Sequence, residues 1–486
     1  MKPRSLALTL WAAICCVRLL CLAGPPAGDK PNVLFLMADD LRPELGCYGA
    51  GHVISPNIDR LAKRGRVFER AYCQQALCNP SRASMLTGLR PDTLDIWNLP
   101  THLRQRYPDI VTLPQHFRNN GYFTECVGKI FHNWRQDIHG DPQSWSVPQF
   151  MHYARHDDDQ PKVDGKPPEN EIKLPRSTIR DVPDEAYFDG RIATRALKSL
   201  QRLKKNRKPF FLAVGFWKPH LPFNAPKRYW NLYDSAKVKL PKSLARPENG
   251  PDIALHNSRE LLRAFGGRTP STAEIRELRR GYYAATTYMD SQVGRVLDEL
   301  DRLGLRDNTI VVFTSDHGFH LGEHSLWCKT SNYEWDAAVP LIIAKPSLAK
   351  RGVASPSPVE LLDLYPTLAE LCGLNRPTHL EGISLVPSIE DPMAEVKPFA
   401  ITQHPRPAYY AGKEPEVMGY SLRTRHHRYT EWRNWQTGKV VAQELFDHQI
   451  DLGENKNITA ESPRWVQALS RKLATVHPVK RHPAAD

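Results

Sequence analysis

Beyond its first thirty residues this 486-residue chain has no apolar run of membrane-spanning length, and its mean hydropathy is −0.50. That excludes a polytopic membrane protein. It has no internal repeat and no low-complexity tract, although Gly 28 and Pro 41 supply many turns, so solenoid and collagen-like architectures are excluded as well. It has no C-x-x-C pair, the usual framework of zinc and thiol-redox sites. It has no nucleic-acid-binding motif either, so the formal net charge of +13 is not in itself a sign of DNA or RNA. What remains, 41% hydrophobic and 24% charged residues, is ordinary globular composition.

Lys2 and Arg4 precede an apolar stretch from Leu6 to Ala23, broken by Arg18 and followed by small residues around Ala23 and Ala27. Residues 1–27 read as a secretory signal peptide, and Arg18 weighs against a stable membrane span. Removal takes three basic residues and no acid, leaving +10, together with Cys15, Cys16 and Cys21. The mature chain is then exported, periplasmic or secreted, and basic. Its six cysteines, Cys47, Cys73, Cys78, Cys126, Cys328 and Cys372, are too few for a disulfide scaffold and leave room for one or two bridges.

Asn32 to Met37, Pro209 to Gly215 and Thr309 to Thr314 are continuous apolar runs, each followed by polar residues: Asp39-Asp40, Lys218-Pro219-His220 and Asp316-His317. Such runs suit parallel strands buried on both faces. Between them, Ile192, Ala193, Ala196, Leu197, Leu200 and Leu203 share one helical face, as do Val293, Val296, Leu297, Leu300 and Leu303. The alternation predicts an α/β fold with a large, mostly parallel sheet flanked by helices, whose ligands bind outside the carboxyl ends of the strands. The stretches 137–184 and 234–272 are polar and read as long surface excursions that line the substrate. Beyond Gly382 short extended runs predict a smaller antiparallel sheet. The domain reading is a catalytic part over 28–392 and a C-terminal part over 393–486, ending in a solvated helix and a frayed tail.

Asp39, Asp40 and Asp316 offer the oxygen ligands that a hard divalent cation requires, with His317 as a softer nitrogen donor. Taken singly, Asp-Asp after a strand is a turn or helix cap, and Lys129, His132, His220 and Lys329 are solvated or turn residues. Cys78, in Cys78-Asn79-Pro80-Ser81-Arg82, is either a nucleophile activated by a nearby cation or a structural cysteine leading into a helix. Asp157-Asp158-Asp159 reads as a solvated turn, His426-His427 as surface, and Asn457-Ile458-Thr459 as a glycosylation sequon in a eukaryotic host.

The pattern C-x-P-S-R-x-x-x-L-T-G at Cys78 to Gly88 resembles the signature of the formylglycine-dependent (type I) sulfatases. Gly128-Lys129-Ile130-Phe131-His132, Lys218-Pro219-His220, Thr314 to Gly318, Leu321 to His324 and Lys329 follow in that family's order. His317, where many members carry Asn, and the longer spacing from Lys129 to His132 are similar to its iduronate-2-sulfatase branch, and the similarity extends from about Asn32 to Asn457. The resemblance implies an alkaline-phosphatase-like mixed sheet and oxidation of Cys78 to formylglycine by a formylglycine-generating enzyme. It also implies one Ca²⁺ held by Asp39, Asp40, Asp316, His317 and residue 78.

For the reaction, the resemblance implies that Arg82 stabilises the formylglycine hydrate, which attacks sulfur, and that Lys129 and Lys329 bind sulfate. His132 takes the proton during elimination, and His220 with Lys329 serves the leaving oxygen. The implied substrate is a sulfated oligo- or polysaccharide, above all 2-O-sulfated uronate. Phe319 and Thr330, beside these motifs in sequence, stand as specificity positions. Two other readings share the features: a phosphonate monoester hydrolase or phosphodiesterase on the same scaffold, and a non-catalytic, basic polyanion-binding protein.

Overall fold

The three buried runs form adjacent strands at the centre of one sheet. The computed structural model describes residues 30–133, 136–150, 172–174, 176–408 and 414–477; the signal segment, Asp157-Asp158-Asp159 and the tail beyond 477 lie outside them. In chain order the main sheet takes β1 (Asn32–Asp39), β2 (Arg66–Tyr72), β3 (Phe123–Gly128), β4 (Phe210–Pro219), β5 (Thr309–Ser315), β6 (Ala338–Val339), β7 (Leu341–Ala344) and β8 (Ala354–Glu360). Its order is β6-β2-β7-β5-β1-β4-β3, with β8 also paired to β2. The run β5-β1-β4-β3 is parallel throughout. β7 joins antiparallel to β5 and β2, which makes the sheet mixed.

Alternation along the strands divides the core into two layers. Val33, Phe35 and Met37 of β1 face one layer with Ile310, Val312, Phe211 and Ala213. Leu34, Leu36 and Ala38 face the other with Val311, Phe313, Leu212 and Val214. The first layer is covered by α1 (Cys78–Thr87), through Ala83, Met85 and Leu86. The second is covered by α2 (Phe188–Asn206) and α3 (Thr272–Arg302), on the two faces that the sequence periodicity marks. Burial on both sides is why these strands lack polar alternation. Ser271 and Glu274 form a capping box that fixes the start of α3, a device of about 1 kcal/mol.

The four parallel strands end at one edge of the sheet, delivering Asp39, Lys129, His220 and Asp316 to the same place. Their spacing depends on Gly128 and Gly215. A Cβ on Gly215 would lie 1.9 Å from the Lys129 carbonyl oxygen, and one on Gly128 2.0 Å from that of Gly215. Only bare backbone lets the exit of β3 come this close to β4.

Strands β9 (Ala400–Arg406), β10 (Val417–Arg423), β11 (His427–Asn434) and β12 (Val440–Asp447) form a separate antiparallel meander. It is fastened to the main sheet by buried charge. Arg423 and Arg428 pair with Glu334, and Lys397, just before β9, pairs with Glu360 at the end of β8 at 2.6 Å; within the C-terminal part Arg428 also pairs with Glu454 at 2.7 Å. The closing helix α4 (Pro463–Val476) is amphipathic rather than wholly solvated, burying Leu469 and Leu473.

Several expectations change. All six cysteines are unpaired. His427 is buried with its ring against Trp465, so only His426 is a surface residue. Asn457 is buried and donates to the carbonyls of Asn249 and Gln443 at 3.0 and 3.1 Å, which leaves no room for a glycan. The stretch 137–184 is partly woven into the interior: Arg104 forks onto buried Asp141, and Asp184 accepts from Tyr229 and Gln292. Among the described residues no helix is long and apolar enough to cross a membrane.

Glu444 on β12 is buried and accepts hydrogen bonds from Tyr333 and Trp432 at 2.9 and 3.0 Å, yet burial pushes its carboxyl up to about 7. A carboxyl raised on folding stabilises the native state below its unfolded value near 4.5, and that contribution disappears as pH rises through 7. Glu444→Gln is expected to match the parent at pH 4.5 and to exceed it by about 3 kcal/mol at pH 8. Urea melts at the two pH values measure this; equal gains at both would refute it.

Candidate active site

Arg82, on the first turns of α1, is the hub of the strand-end edge. It is 1% exposed, and its Nε and Nη2 donate to Asp316 Oδ2 and Asp39 Oδ1, each at 2.9 Å. Its Nη1 donates to the carbonyls of Lys129 and Ile130 at 2.7 and 3.0 Å. One guanidinium thus joins β1, β5 and the exit of β3, which uses the planar fork that a lysine lacks. Lys129 pairs with the other oxygen of Asp39 and lies 4.9 Å from the Trp217 ring centre. Although burial opposes ionisation of Asp39, Lys129 and Arg82 hold its carboxyl well below the usual range.

Asp40 differs from its neighbour. Its backbone takes a left-handed φ of 65°, a conformation Asp tolerates better than most residues. Burial, with Asp39, Glu260 and Asp316 adding negative charge nearby, pushes its carboxyl up against the pull of Lys329. Lys329 Nζ donates to both Asp40 oxygens at 3.2 and 2.9 Å and to His220 Nε2 at 3.2 Å. His220 Nδ1 faces the Leu221 carbonyl at 2.6 Å, so that nitrogen carries the hydrogen.

Cys78 opens α1 at 3% exposure. Its Sγ lies 3.3 Å from His317 Nε2 and 3.7 Å from Asp39 Oδ1, and burial pushes the thiol well up. His317 Nδ1 donates to the Gly318 carbonyl at 2.9 Å, which turns the Nε2 lone pair toward Asp40 Oδ1 at 3.3 Å. A lone pair aimed at a carboxylate is unfavourable until a cation stands between them. Oxygens of Asp39, Asp40 and Asp316 lie within 4.8 Å of one another, all fully buried, and Asp40, Cys78 and His317 form an equally tight group. Four acids, counting Glu260, meet the three cations Arg82, Lys129 and Lys329 before any anionic substrate arrives. This oxygen-rich donor set fits a hard divalent cation.

Direct contacts therefore link Cys78, Arg82, Lys129, Asp39, Asp40, Asp316, His317, His220 and Lys329. His132, three residues beyond Lys129, is buried on the same loop. Phe319 is fully buried, with its ring 5.6 Å from Tyr282, 6.0 Å from Phe223 and 6.0 Å from Lys329 Nζ, so it packs beneath that lysine. Thr330 is fully buried too. Sequence reasoning missed Glu260, on the single turn Arg259–Leu262 inside the 234–272 excursion, whose carboxylate meets Lys329 at 3.0 Å. The only signal for it was the polar length of that excursion.

A family profile described as Sulfatase matches residues 31–374, and one described as N-sulphoglucosamine sulphohydrolase, C-terminal, matches residues 322–477. Iduronate 2-sulfatase of Homo sapiens is 36% identical over 481 residues, covering 85% of this chain and 87% of that protein. Choline-sulfatase of Rhizobium meliloti is 31% identical, covering 90% and 83%. Among solved structures, the phosphonate monoester hydrolase of Silicibacter pomeroyi superposes with a TM-score of 0.75 at 25% identity, covering 94% of this chain and 97% of that one.

Replacing Arg82 by Ala removes the cation shared by two buried carboxylates, leaving Asp39 with Lys129 alone and Asp316 without its guanidinium partner, and is expected to cost about 3–5 kcal/mol of stability. Arg82→Lys, unable to bridge both, is expected to recover less than half of that. Urea unfolding of the three proteins tests this; full recovery by Lys would show that charge alone, rather than the fork, holds the edge.

Proposed function

Because the chain belongs to the sulfatase family, and so is a sulfuric ester hydrolase with an alkaline-phosphatase-like fold, we propose that it removes the 2-O-sulfate of uronate residues in a glycosaminoglycan-type polysaccharide. Iduronate is the first candidate among them. The observation that carries this reading is the position of Cys78, its sulfur against Asp39 and His317 in the middle of a buried cluster of paired acids and cations. The 36% identity to iduronate 2-sulfatase over 85% of the chain supports the choice of sugar.

Sulfatases generally use a formylglycine and a metal ion. Here Asp39, Asp40, Asp316, His317 and residue 78 would hold Ca²⁺, with Cys78 converted to formylglycine. In place, the ion would draw charge from a sulfate oxygen and the formylglycine hydrate would supply the nucleophilic oxygen. The remaining work falls to side chains of this chain. Lys129 and Lys329, 2% exposed, grip sulfate oxygens where little water competes. Arg82 holds Asp39 and Asp316 in place. His220 and Lys329, in contact at 3.2 Å, share the proton that the departing sugar oxygen needs. His132 accepts the proton released at residue 78.

The segment 1–27 and the remaining charge of +10 support an exported enzyme that draws sulfated polyanions toward this pocket, with the formylglycine-generating enzyme as its maturation partner. The two-part division at residues 28–392 and 393–486 belongs to the same proposal.

A second reading has its own support in the phosphonate monoester hydrolase superposition. The two separate on paired substrates: an aryl sulfate is expected to be hydrolysed at least about a hundredfold faster than an aryl phosphodiester, and the reverse order would replace the proposal. Chelation with EDTA is expected to abolish turnover and added Ca²⁺ to restore it. Mass spectrometry of the peptide spanning Cys78, from a host with the maturation enzyme, is expected to show an aldehyde in place of the thiol. An intact thiol would favour a non-catalytic polyanion binder.

A further inference from the structure

Glu260 runs against the charge logic of a sulfate pocket. A site for an anionic ester gains from cations and loses from carboxylates that hold neither a metal nor a proton. The three strand-end aspartates group together around one possible cation position, whereas Glu260 groups with Asp40 and His220 on the Lys329 side. Glu260 comes instead from the excursion, and its oxygens lie 3.1 and 3.0 Å from Lys329 Nζ and 3.4 Å from His220 Nε2. Its side chain is 21% exposed, against 3% for Lys329 and 5% for His220. Glu260 is therefore the open face of the pair that serves the leaving oxygen.

Neither Lys329 nor the excursion relies on this carboxylate alone. Lys329 is also paired with Asp40 at 2.9 Å. The excursion is fastened by Arg406, which donates to the carbonyls of Ile253 and Ala254 at 2.7 Å each, and by Ser258, which accepts from the Trp327 amide at 3.0 Å. A carboxylate beside the leaving oxygen meets whatever the sugar carries on the adjacent carbon. A hydroxyl there can donate to it, whereas a second sulfate brings like charge against it.

We propose that Glu260 is a specificity-determining residue: its carboxylate accepts a hydrogen bond from a free hydroxyl adjacent to the scissile ester and excludes substrates sulfated at that neighbouring position. The inference rests on the uronate reading above, in which the hydroxyl is the one at C3.

The test measures kcat/KM of the full-length enzyme on three substrates: a 2-O-sulfated uronate glycoside with a free 3-hydroxyl, the same sugar sulfated at both positions, and an aryl sulfate with no neighbouring group. The parent enzyme is expected to prefer the hydroxyl-bearing sugar over the disulfated one by about a hundredfold or more, since like charges brought together cost several kcal/mol. Glu260→Gln is expected to narrow that ratio at least about tenfold, chiefly through faster turnover of the disulfated sugar. Glu260→Asp, with its charge drawn back by one methylene, is expected to narrow it less. Rates falling in equal proportion on all three substrates, or vanishing in both variants, would make Glu260 only a support for Lys329 and His220 and overturn the proposal. Hydrolysis of the aryl sulfate but of neither uronate by the parent enzyme would instead refute the uronate reading, and this inference with it.

Discussion

The interaction on which the rest depends is the double fork of Arg82 onto Asp39 and Asp316. Three carboxylates at adjacent strand ends repel one another, and burial in a low-dielectric interior sharpens that repulsion. A planar cation fixed by two backbone carbonyls offsets part of it and in doing so sets the distance between β1, β5 and the exit of β3. The residual imbalance is concentrated at Asp40, whose carboxyl is driven up rather than down. That imbalance is what fits the cluster to a hard cation, and it follows from the protein's own charges. Lys129 and Lys329 extend the same compensation outward, one on Asp39 and one on Asp40.

Much of this was legible in sequence because the relevant signals are local. Strands buried on both faces announce themselves as unbroken apolar runs, and polar residues at their ends mark the functional edge. The faces of α2 and α3 are written at helical spacing. The motif from Cys78 to Arg82 holds the site's first residue and its hub four positions apart, one turn of one helix. What escaped lies where position is set by distant packing. Glu260 stands on one helical turn in a long polar stretch, and only the folded excursion carries it to Lys329. Phe319 follows Asp316 and His317 in sequence, and only the fold shows its ring packed between Tyr282, Phe223 and Lys329. Asn457 fits a sequon, yet its amide is spent on backbone carbonyls across two loops. Adjacency along the chain was a poor guide to what faces the pocket.

The relatives show how little the edge itself decides about substrate. A choline ester and a sulfated uronate share almost nothing beyond the sulfate, yet proteins named for each align along most of this chain. In the reading proposed above, the strand-end cluster serves the sulfate alone. Discrimination has to come from segments laid over it, and here the 234–272 excursion supplies the Glu260 carboxylate beside Lys329.

The buried ion pairs between the meander and the main sheet bear on how the molecule can be taken apart. Glu334 begins the turn five residues after Lys329, and its carboxylate is answered by Arg423 and Arg428, both beyond residue 392. Glu360, the buried last residue of β8, is shared between Arg90 and Lys397. A chain cut between the two parts would strip Glu334 of both arginines, close in sequence to Lys329, and leave Glu360 with Arg90 alone. Premature termination far downstream of every residue in the pocket would therefore be felt inside it, and the meander is better regarded as the last course of the catalytic masonry than as an appended module.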